Sequence, residues 1–390
     1  MAPCKIYSET LSYLKDSPKF IGLPPWEPIL LIPLFPKAVQ QKAFYLYSPA
    51  SIRGKMFKTI GQFMATTGFF SVLGRLKSFS INDLSISETV RAIIRSDSLK
   101  ALVEDWERYL QISPLLVALS LGRDSPFRKV TALLFDLKGK PVALAKVGAT
   151  KEAHSLIKNE TNALSFMAQN QMEEYSPRLL GFGQTGALVW MLQEPLLEGR
   201  PSSIKLGYAQ LKFLGAMANK TFCSAKDREE QLQFFRSFCR LLKQNVSPSN
   251  SDFATNRTLF DSMVGNAYAA IEQQKWEDWN FAAAHGDFAP WNLRVSGKRL
   301  VVLDWEYFLP CMPVGWDLLH YIFQVERLVK RRSIMDIRQR FARGSYKNVI
   351  SCFEKETGFS INDQSILSDF VLLSVQFDLI PRYLCCNHSI

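Results

Sequence analysis

The sequence predicts an α+β protein of two lobes, with a mostly helical N-terminal extension. The first lobe is predicted as a small antiparallel sheet with one inserted helix, and the second as larger and mainly helical. Three observations support this fold class: β-rich segments concentrate between residues 115 and 192, helical periodicity dominates after residue 196, and turn residues separate these segments. The 390 residues, 47% apolar and 21% charged, suffice for two or three domains with their own cores.

The extension is predicted to span residues 1–114. Residues 20–50 are rich in proline and aromatic residues, which indicates a segment that wraps a surface rather than forming regular elements. Residues 51–74 show helical spacing, and residues 86–110 predict one or two further helices that begin at Ser85 or Ser87. The apolar stripe of the first helix consists of Ile52, Met56, Ile60, Phe63 and Phe70.

The first lobe is predicted to span residues 115–195, and the second residues 196–390. In the first lobe, four apolar and β-branched runs predict strands, and one amphipathic segment predicts a helix at residues 151–169. The predicted strands are 115–121, 130–136, 142–147 and 188–192. The predicted helices of the second lobe are about 204–222, 228–245, 258–275, 314–331, 335–355 and 364–378.

One stretch carries most of the chemical information, namely His285-Gly286-Asp287-Phe288-Ala289-Pro290-Trp291-Asn292. Asp304 follows twelve residues after Asn292, and two apolar runs flank Ser296-Gly297-Lys298 between them, which predicts a β-hairpin. The hairpin would bring Asp287, Asn292 and Asp304 to one point. Such an arrangement suits phosphoryl transfer, in which one carboxylate orients and deprotonates the attacking hydroxyl while an amide and a second carboxylate hold Mg²⁺ on the nucleotide phosphates.

This stretch and Leu303-Asp304-Trp305-Glu306 resemble motifs of the aminoglycoside phosphotransferase and choline kinase family, the small-molecule branch of the protein-kinase-like fold. The resemblance covers about two thirds of the chain, from about residue 115 to the end. It implies a two-lobed protein-kinase-like fold and transfer of the γ-phosphate of ATP to a hydroxyl, with ATP and Mg²⁺ as cofactors. Asp287 is then the predicted catalytic base, and Asn292 and Asp304 are the predicted metal ligands.

Three further residues around the motif have predicted roles. His285 is expected to hydrogen-bond the loop rather than take part in the chemistry. The resemblance implies that Asp317, in Gly315-Trp316-Asp317-Leu318, braces the same loop. Glu306 lies two residues past Asp304, and the sequence leaves open whether it reaches a second metal ion or is a surface acid.

Lys146 lies in a run that is apolar on both faces, which predicts a central, buried strand. Burying the charge of a lysine there costs free energy unless an anion lies beside it. Glu160 lies on the apolar stripe of the following helix and is its predicted partner, with Glu152 as a competitor. The resemblance implies that Lys146 holds the α- and β-phosphates of ATP. The alternatives are a lysine that reaches solvent from the strand end and a glutamate on a solvated edge.

Two more segments are predicted to contact the nucleotide. The turn at residues 122–129, which includes Gly122 and Ser125, could offer backbone N–H groups to phosphates. It lacks a GxGxxG pattern, which argues against a protein kinase. Glu194 lies where the strand 188–192 ends and resembles the linker whose backbone pairs with adenine.

The net charge of +11 is unevenly distributed. Residues 28–82 contain seven Lys or Arg and no Asp or Glu, so this segment contributes +7. A basic amphipathic helix within about 51–77 predicts peripheral contact with an anionic membrane. The alternative is that the apolar stripe packs on the lobes and the lysines face water.

The composition also excludes several classes of protein. Seven cysteines without a CxxC pair indicate a reducing compartment, and four histidines without metal-ligand spacing make a zinc site unsupported. The basic residues lack a nucleic-acid-binding motif. The N-terminus has no signal-peptide pattern, so the expected location is the cytoplasm or the inner face of the membrane.

Two functions remain open from the sequence. The first is a kinase of a small hydroxylated molecule, namely a sugar, an amino alcohol or a glycan intermediate. The second is a catalytically silent kinase-like module that acts through its extension. The presence of Asp287, Asn292, Asp304 and Lys146 favours the kinase. Residues 201–284 contain ten Lys or Arg and eight Asp or Glu, so the acidic concentration expected for a polycationic aminoglycoside is not evident.

Overall fold

The structure is a computed structural model. It describes residues 20–23, 29–33, 37–46, 52–67, 69–70, 87–122, 125, 127–196, 199–224, 233, 235–238, 240, 257–272, 279–296, 299–361 and 364–387. Most of the predicted helix 228–245 and the tip of the predicted hairpin, residues 297–298, lie outside the described residues. The chain divides into two compact units: Met1–Thr161 with Arg178–Leu197, and Asn162–Pro177 with Glu198–Ile390. The domain limits predicted at residues 115 and 196 stay predictions.

The first unit is built on a seven-stranded sheet in the order β1-β2-β3-β4-β5-β7-β6, in which every pairing is antiparallel. Four of these strands match the predicted ones to within two residues at each end, while β6 was not predicted. The strands are β1 (Phe20–Leu23), β2 (Leu30–Pro33), β3 (Leu116–Ser120), β4 (Val130–Phe135), β5 (Pro141–Gly148), β6 (Leu179–Thr185) and β7 (Leu188–Gln193). The helices are α1 (Lys37–Ala43), α2 (Ile52–Thr67), α3 (Glu88–Ile94), α4 (Ser96–Leu110) and α5 (Lys151–Gln169). The division between the two units falls within α5, after Thr161.

The extension is part of this sheet. β1, β2 and α1 all fall within residues 20–50, so the prediction that this segment forms no regular elements was wrong. The extension is therefore not only helical. β1 and β2 continue the sheet outward from β3, with β1 at the edge. Pro33 is the last residue of β2 and lies beyond Leu30 and Leu31, which pair with β3, so its missing N–H does not interrupt that pairing.

Alternate residues of β3 enter two different cores. Val117 and Leu119 pack in the same cluster as Trp106 of α4, whereas Leu116 packs in a second cluster with Phe44 and other residues of the extension. Because successive side chains of a strand point to opposite faces, the sheet is covered on both faces by residues that precede β3. The described part of the extension thus stabilises the sheet.

Helix α2 packs through the face opposite to the predicted apolar stripe. A Cβ on Gly61 would lie 2.3 Å from Cε1 of Phe44, so glycine allows the helix to lie against this ring. Phe70 is buried beside Phe44, with ring centroids 6.1 Å apart. The alternative that the stripe packs on the rest of the protein is wrong for three residues that are exposed. These are Met56 (59%), Ile60 (55%) and Phe63 (69%).

The second unit is mainly helical, with two small antiparallel sheets in the orders β11-β10-β8 and β12-β9. The predicted helix 335–355 is two helices separated by a turn at Gly344, and a helix after residue 378 was not predicted. The strands are β8 (Arg200–Pro201), β9 (Phe281–Ala284), β10 (Leu293–Ser296), β11 (Arg299–Val302) and β12 (Leu309–Pro313). The helices are α6 (Tyr208–Lys220), α7 (Arg257–Glu272), α8 (Trp316–Gln324), α9 (Ile334–Ala342), α10 (Lys347–Thr357), α11 (Gln364–Phe377) and α12 (Leu379–Asn387).

The predicted fold class is confirmed: a small antiparallel sheet with one inserted helix, α5, is followed by a mainly helical unit that contains the acidic motif. Helix α8 continues as a π-helix, Val325–Val329. Among the helices of the described residues, none is both long and apolar enough to cross a bilayer.

Candidate active site

The predicted hairpin is present and brings the ends of the motif together. Leu293 of β10 lies opposite Val302 of β11, and the backbone N–H of Leu303 donates to the carbonyl oxygen of Asn292 at 2.8 Å. Asn292 and Asp304 therefore lie at the same end of the hairpin. Burial raises the pKa of the Tyr307 hydroxyl, and the charges of Asp287 and Asp304 raise it further. Both acids thus lie within electrostatic reach of one phenol.

The side chain of Asp287 is held by two donors. Nδ2 of Asn292 donates to Oδ2 of Asp287 at 2.8 Å and to its carbonyl oxygen at 2.9 Å. Nε2 of His320 lies 3.0 Å from Oδ1. The Asp287 side chain nevertheless remains 22% exposed. Since the amide nitrogen of Asn292 faces Asp287, its amide oxygen is directed away from that carboxylate.

Asp317 supports the backbone of the motif, as the resemblance implies. Its Oδ2 accepts the N–H of His285 at 2.7 Å, and its Oδ1 accepts the N–H of Gly286 at 3.0 Å. Burial raises the pKa of Asp317, while the two hydrogen bonds from the backbone of His285 and Gly286 act in the opposite direction. The carboxylate at the start of α8 therefore fixes the turn immediately before Asp287.

His285 has the structural role that the sequence predicts. Its Nε2 donates to the carbonyl oxygen of Leu303 at 2.9 Å, and its Nδ1 accepts the N–H of Asp287 at 3.2 Å. A carbonyl can only accept and a backbone N–H can only donate, so this pattern requires the neutral ring with its hydrogen on Nε2. The ring therefore joins the Asp287 loop to the residue before Asp304.

Two backbone conformations at the site are sterically demanding. Gly286 has φ +82°, and a Cβ there would lie 2.1 Å from the carbonyl oxygen of Tyr307. Only glycine allows this approach. Asp304 also has a left-handed conformation, φ +67°, which costs free energy in a residue with a Cβ and concentrates at functional sites. Glu306 is half-buried in the turn Trp305–Tyr307, and its role as a second metal ligand stays open.

The predicted ion pair of the first unit is observed. Nζ of Lys146 lies 2.6 Å from Oε1 and 2.7 Å from Oε2 of Glu160. Lys146 is 8% exposed and Glu160 is fully buried. β5 lies between β4 and β7, so the prediction of a central strand is confirmed. The alternatives of a solvent-reaching lysine and a solvated glutamate are wrong.

The turn after β3 is tied to its neighbours by Arg128. Its guanidinium donates to the carbonyl oxygens of Leu121 and Gly122 at 2.8 and 3.1 Å, and to Oγ of Ser87 at 2.9 Å. Gly122 has φ +66°, which favours glycine. Ser125 is exposed, and residues 123, 124 and 126 lie outside the described residues. The predicted phosphate contact of this turn stays a prediction.

One backbone group at the predicted linker position, Glu194, already takes part in a hydrogen bond within the fold. The backbone N–H of Glu194 donates to the carbonyl oxygen of Arg178 at 2.9 Å. An adenine contact at Glu194 would therefore use another backbone group than this N–H.

Sequence reasoning did not identify His320 or Asp378. His320 follows Asp317 by three residues, so helical spacing could have placed both on one face of α8. Asp378 is exposed between α11 and α12, at φ +51°. Partial burial raises its pKa, Arg382 lowers it, and the charge of Asp287 raises it. The charge of Asp287 thus affects the pKa of Asp378, although 91 residues separate them along the chain.

No family model and no curated protein matches the sequence. Among solved structures, the chain is similar to an ethanolamine kinase from Plasmodium vivax, with 12% identity, a TM-score of 0.46, and coverage of 80% of this chain and 90% of the other. It is similar to a choline kinase from Streptococcus pneumoniae, with 12% identity, a TM-score of 0.45 and coverage of 75% and 92%. It is also similar to an aminoglycoside-3'-phosphotransferase of type VIII, with 15% identity, a TM-score of 0.42 and coverage of 71% and 98%.

By their names, these three solved structures are enzymes that phosphorylate small molecules. The chemistry of this chain depends on its own side chains.

Proposed function

We propose that this chain is an ATP- and Mg²⁺-dependent phosphotransferase that transfers the γ-phosphate to a hydroxyl group of a small molecule, with Asp287 as the catalytic base. The observation that carries the proposal is the setting of Asp287: Asn292 and His320 hold its two carboxylate oxygens, and its side chain remains 22% exposed. A carboxylate with a fixed orientation and an accessible lone pair can accept the proton of an approaching hydroxyl.

The residues at the end of the hairpin suit a magnesium ion. Asn292 directs its amide oxygen away from Asp287, and Asp304 adds a half-buried carboxylate. Mg²⁺ prefers such hard oxygen donors and completes its octahedral shell with phosphate and water oxygens. When bound, the ion would neutralise charge on the nucleotide phosphates. Asn292 and Asp304 would hold it there.

Lys146 would contact the α- and β-phosphates of ATP. Glu160 holds its ammonium group in a buried position, so the positive charge is fixed rather than mobile. Lysine binds phosphate as a point charge, which this geometry supports. Gly122, Ser125 and Glu194 are the further proposed nucleotide contacts.

The alternative of a catalytically silent module that acts through its extension is less well supported. The described strands of the extension belong to the main sheet, and Phe44 and Phe70 are buried in its core. These residues therefore stabilise the first unit. Asp287, Asn292, Asp304 and Lys146 are also all present, which a silent module does not require.

We further propose that helix α2 contacts an anionic membrane surface. Its outward face presents Met56, Ile60 and Phe63 to solvent, and residues 28–82 carry seven basic residues and no acid. Exposed apolar side chains on a helix within a basic segment match the interface of an anionic lipid bilayer.

The proposed activity is tested by incubating the purified full-length protein with radiolabelled ATP, Mg²⁺ and a panel of sugars, amino alcohols and glycan intermediates. Acceptor-dependent transfer that is absent from an Asp287→Asn protein is the expected result. Protein that is folded and binds ATP, but transfers phosphate to no member of the panel, would contradict the proposal.

A further inference from the structure

His320 belongs to the site through a contact that no motif indicates. It lies on α8, 33 residues after Asp287, and its side chain is 6% exposed. Its Nε2 lies 3.0 Å from Oδ1 of Asp287, and Nε2 of Gln324 lies 3.1 Å from the same ring nitrogen. An amide nitrogen only donates and a carboxylate accepts, so the ring nitrogen cannot serve both groups as placed. We assign the hydrogen on Nε2 of His320 to the shorter contact with Asp287, and a half-turn of the Gln324 amide then presents its oxygen to that nitrogen.

Helix α8 supports the Asp287 loop at two levels. Asp317 accepts the two backbone N–H groups that precede Asp287, and His320, one turn later, holds the side chain itself. Residues three apart lie on the same face of a helix, so one turn of α8 fixes both the loop and its carboxylate.

Asn292 and His320 contact different oxygens of the Asp287 carboxylate. Asn292 bonds Oδ2 and comes from the short helical turn after the loop, whereas His320 bonds Oδ1 and comes from α8. A carboxylate held at both oxygens from two elements cannot rotate without breaking one bond. With Asn292 alone, the carboxylate would still turn about that single contact.

We infer that His320 is a positioning residue, which orients the Asp287 carboxylate so that its accessible lone pair faces the acceptor hydroxyl. The inference rests on the proposed function of Asp287 and adds a residue to it. Misplacing a reacting group by about 1 Å can reduce the rate about a hundredfold. His320 acts through Asp287, so its loss should lower kcat and leave KM for ATP unchanged.

Two variants of similar size distinguish positioning from packing. Gln places its amide nitrogen near the position of the imidazole Nε2, whereas Asn places it near Nδ1, too short to reach Asp287. His320→Asn should lower kcat about ten- to a hundredfold, and His320→Gln should restore most of it, at equal thermal stability and equal KM for ATP. Equal kcat in both variants and the wild type would overturn the inference. A loss of kcat that parallels a loss of thermal stability would also overturn the inference.

A second measurement does not depend on turnover. Four histidines make the ¹⁵N-histidine spectrum of the full chain simple enough to assign. The Nε2 signal of His320 should show a hydrogen-bonded N–H in the wild type and should shift in an Asp287→Ala protein. An unchanged signal would overturn the contact. If instead Asp287→Asn transfers phosphate normally, the proposed function fails while this spectrum still tests the contact.

Discussion

Lys146 and Glu160 form an ion pair that lies almost wholly out of contact with solvent. Burying two charges costs free energy, and removing one partner leaves the other uncompensated. Glu160→Leu should therefore lower the free energy of unfolding by about 3–5 kcal/mol. Denaturant titration followed by fluorescence measures the change.

A double variant separates stability from nucleotide binding. Lys146→Met with Glu160→Leu replaces the pair by apolar side chains and should recover most of the stability lost by Glu160→Leu alone. It should nevertheless fail to bind ATP, which equilibrium titration would show. ATP binding at wild-type affinity by the double variant would contradict the proposed role of Lys146.

Gly286 is predicted to be irreplaceable for steric reasons. Gly286→Ala places a Cβ against the carbonyl oxygen of Tyr307, at 2.1 Å, in addition to the cost of a positive φ. Gly344→Ala is a matched control, because Gly344 has φ +70° and nothing within 4 Å of its Cβ position. The control should lose about 1–2 kcal/mol of stability and keep its activity. Gly286→Ala should lose more stability and most of its transfer activity, and equal losses would show that the close approach is unimportant.

The ion cluster around Glu326 predicts a pH dependence of stability. Burial opposes the ionisation of Glu326, but the hydrogen bonds and charges of Lys330 and Arg332 outweigh it and lower its pKa below the ordinary value of 4.5. Ionised Glu326 therefore contributes stability above about pH 4.5, which is lost as the pH falls through its folded-state pKa. Glu326→Gln should be clearly less stable than the wild type at pH 7 and nearly as stable at low pH in thermal unfolding.

The pKa of Asp369 is shifted in the opposite direction from that of Glu326, so Asp369 serves as the control. Its carboxylate bonds Arg338 at 3.0 and 2.9 Å, yet burial dominates and raises its pKa above 3.8. Its contribution is therefore present below pH 3.8 and is lost as the pH rises through the folded-state pKa. The stability advantage of the wild type over Asp369→Asn should shrink as the pH rises. Parallel pH profiles for the two variants would contradict the opposite directions of the two pKa shifts.

The exposed face of α2 predicts binding to anionic vesicles. Replacing Met56, Ile60 and Phe63 with Ser should reduce cosedimentation with phosphatidylserine vesicles at low salt by at least about tenfold, since burying even one such side chain contributes about 1.5 kcal/mol. Tyr208→Ser is the control, because Tyr208 is 70% exposed and lies on α6. The proposed membrane contact would be contradicted if the wild-type protein did not cosediment with the vesicles. Self-association through this face in gel filtration would contradict it as well.

The sequence predicted the parts of the site whose residues are close along the chain. The hairpin between Asn292 and Asp304 follows from local alternation and a turn, and the Lys146–Glu160 pair follows from a charge on each of two adjacent apolar elements. These features depend on neighbours within about fifteen residues. Local patterns are sufficient for them.

Other features depend on contacts that spacing does not encode. Periodicity identified the apolar stripe of α2 but could not say which way it faces, and Gly61 against Phe44 determined the opposite orientation. The contact between Asp287 and His320 joins residues 33 positions apart. The electrostatic effect of Asp287 on Asp378 links residues 91 positions apart. Strands β1 and β2 were obscured by the prolines between and after them, which by themselves predict a loop.

The most direct test of the proposed chemistry is the Asp287→Asn protein. It preserves the size of the side chain and removes the carboxylate that would accept the hydroxyl proton. Phosphate transfer to an acceptor should fall by at least about a hundredfold, with unchanged thermal unfolding and unchanged ATP affinity. Transfer at the wild-type rate by this variant would show that Asp287 is not the base.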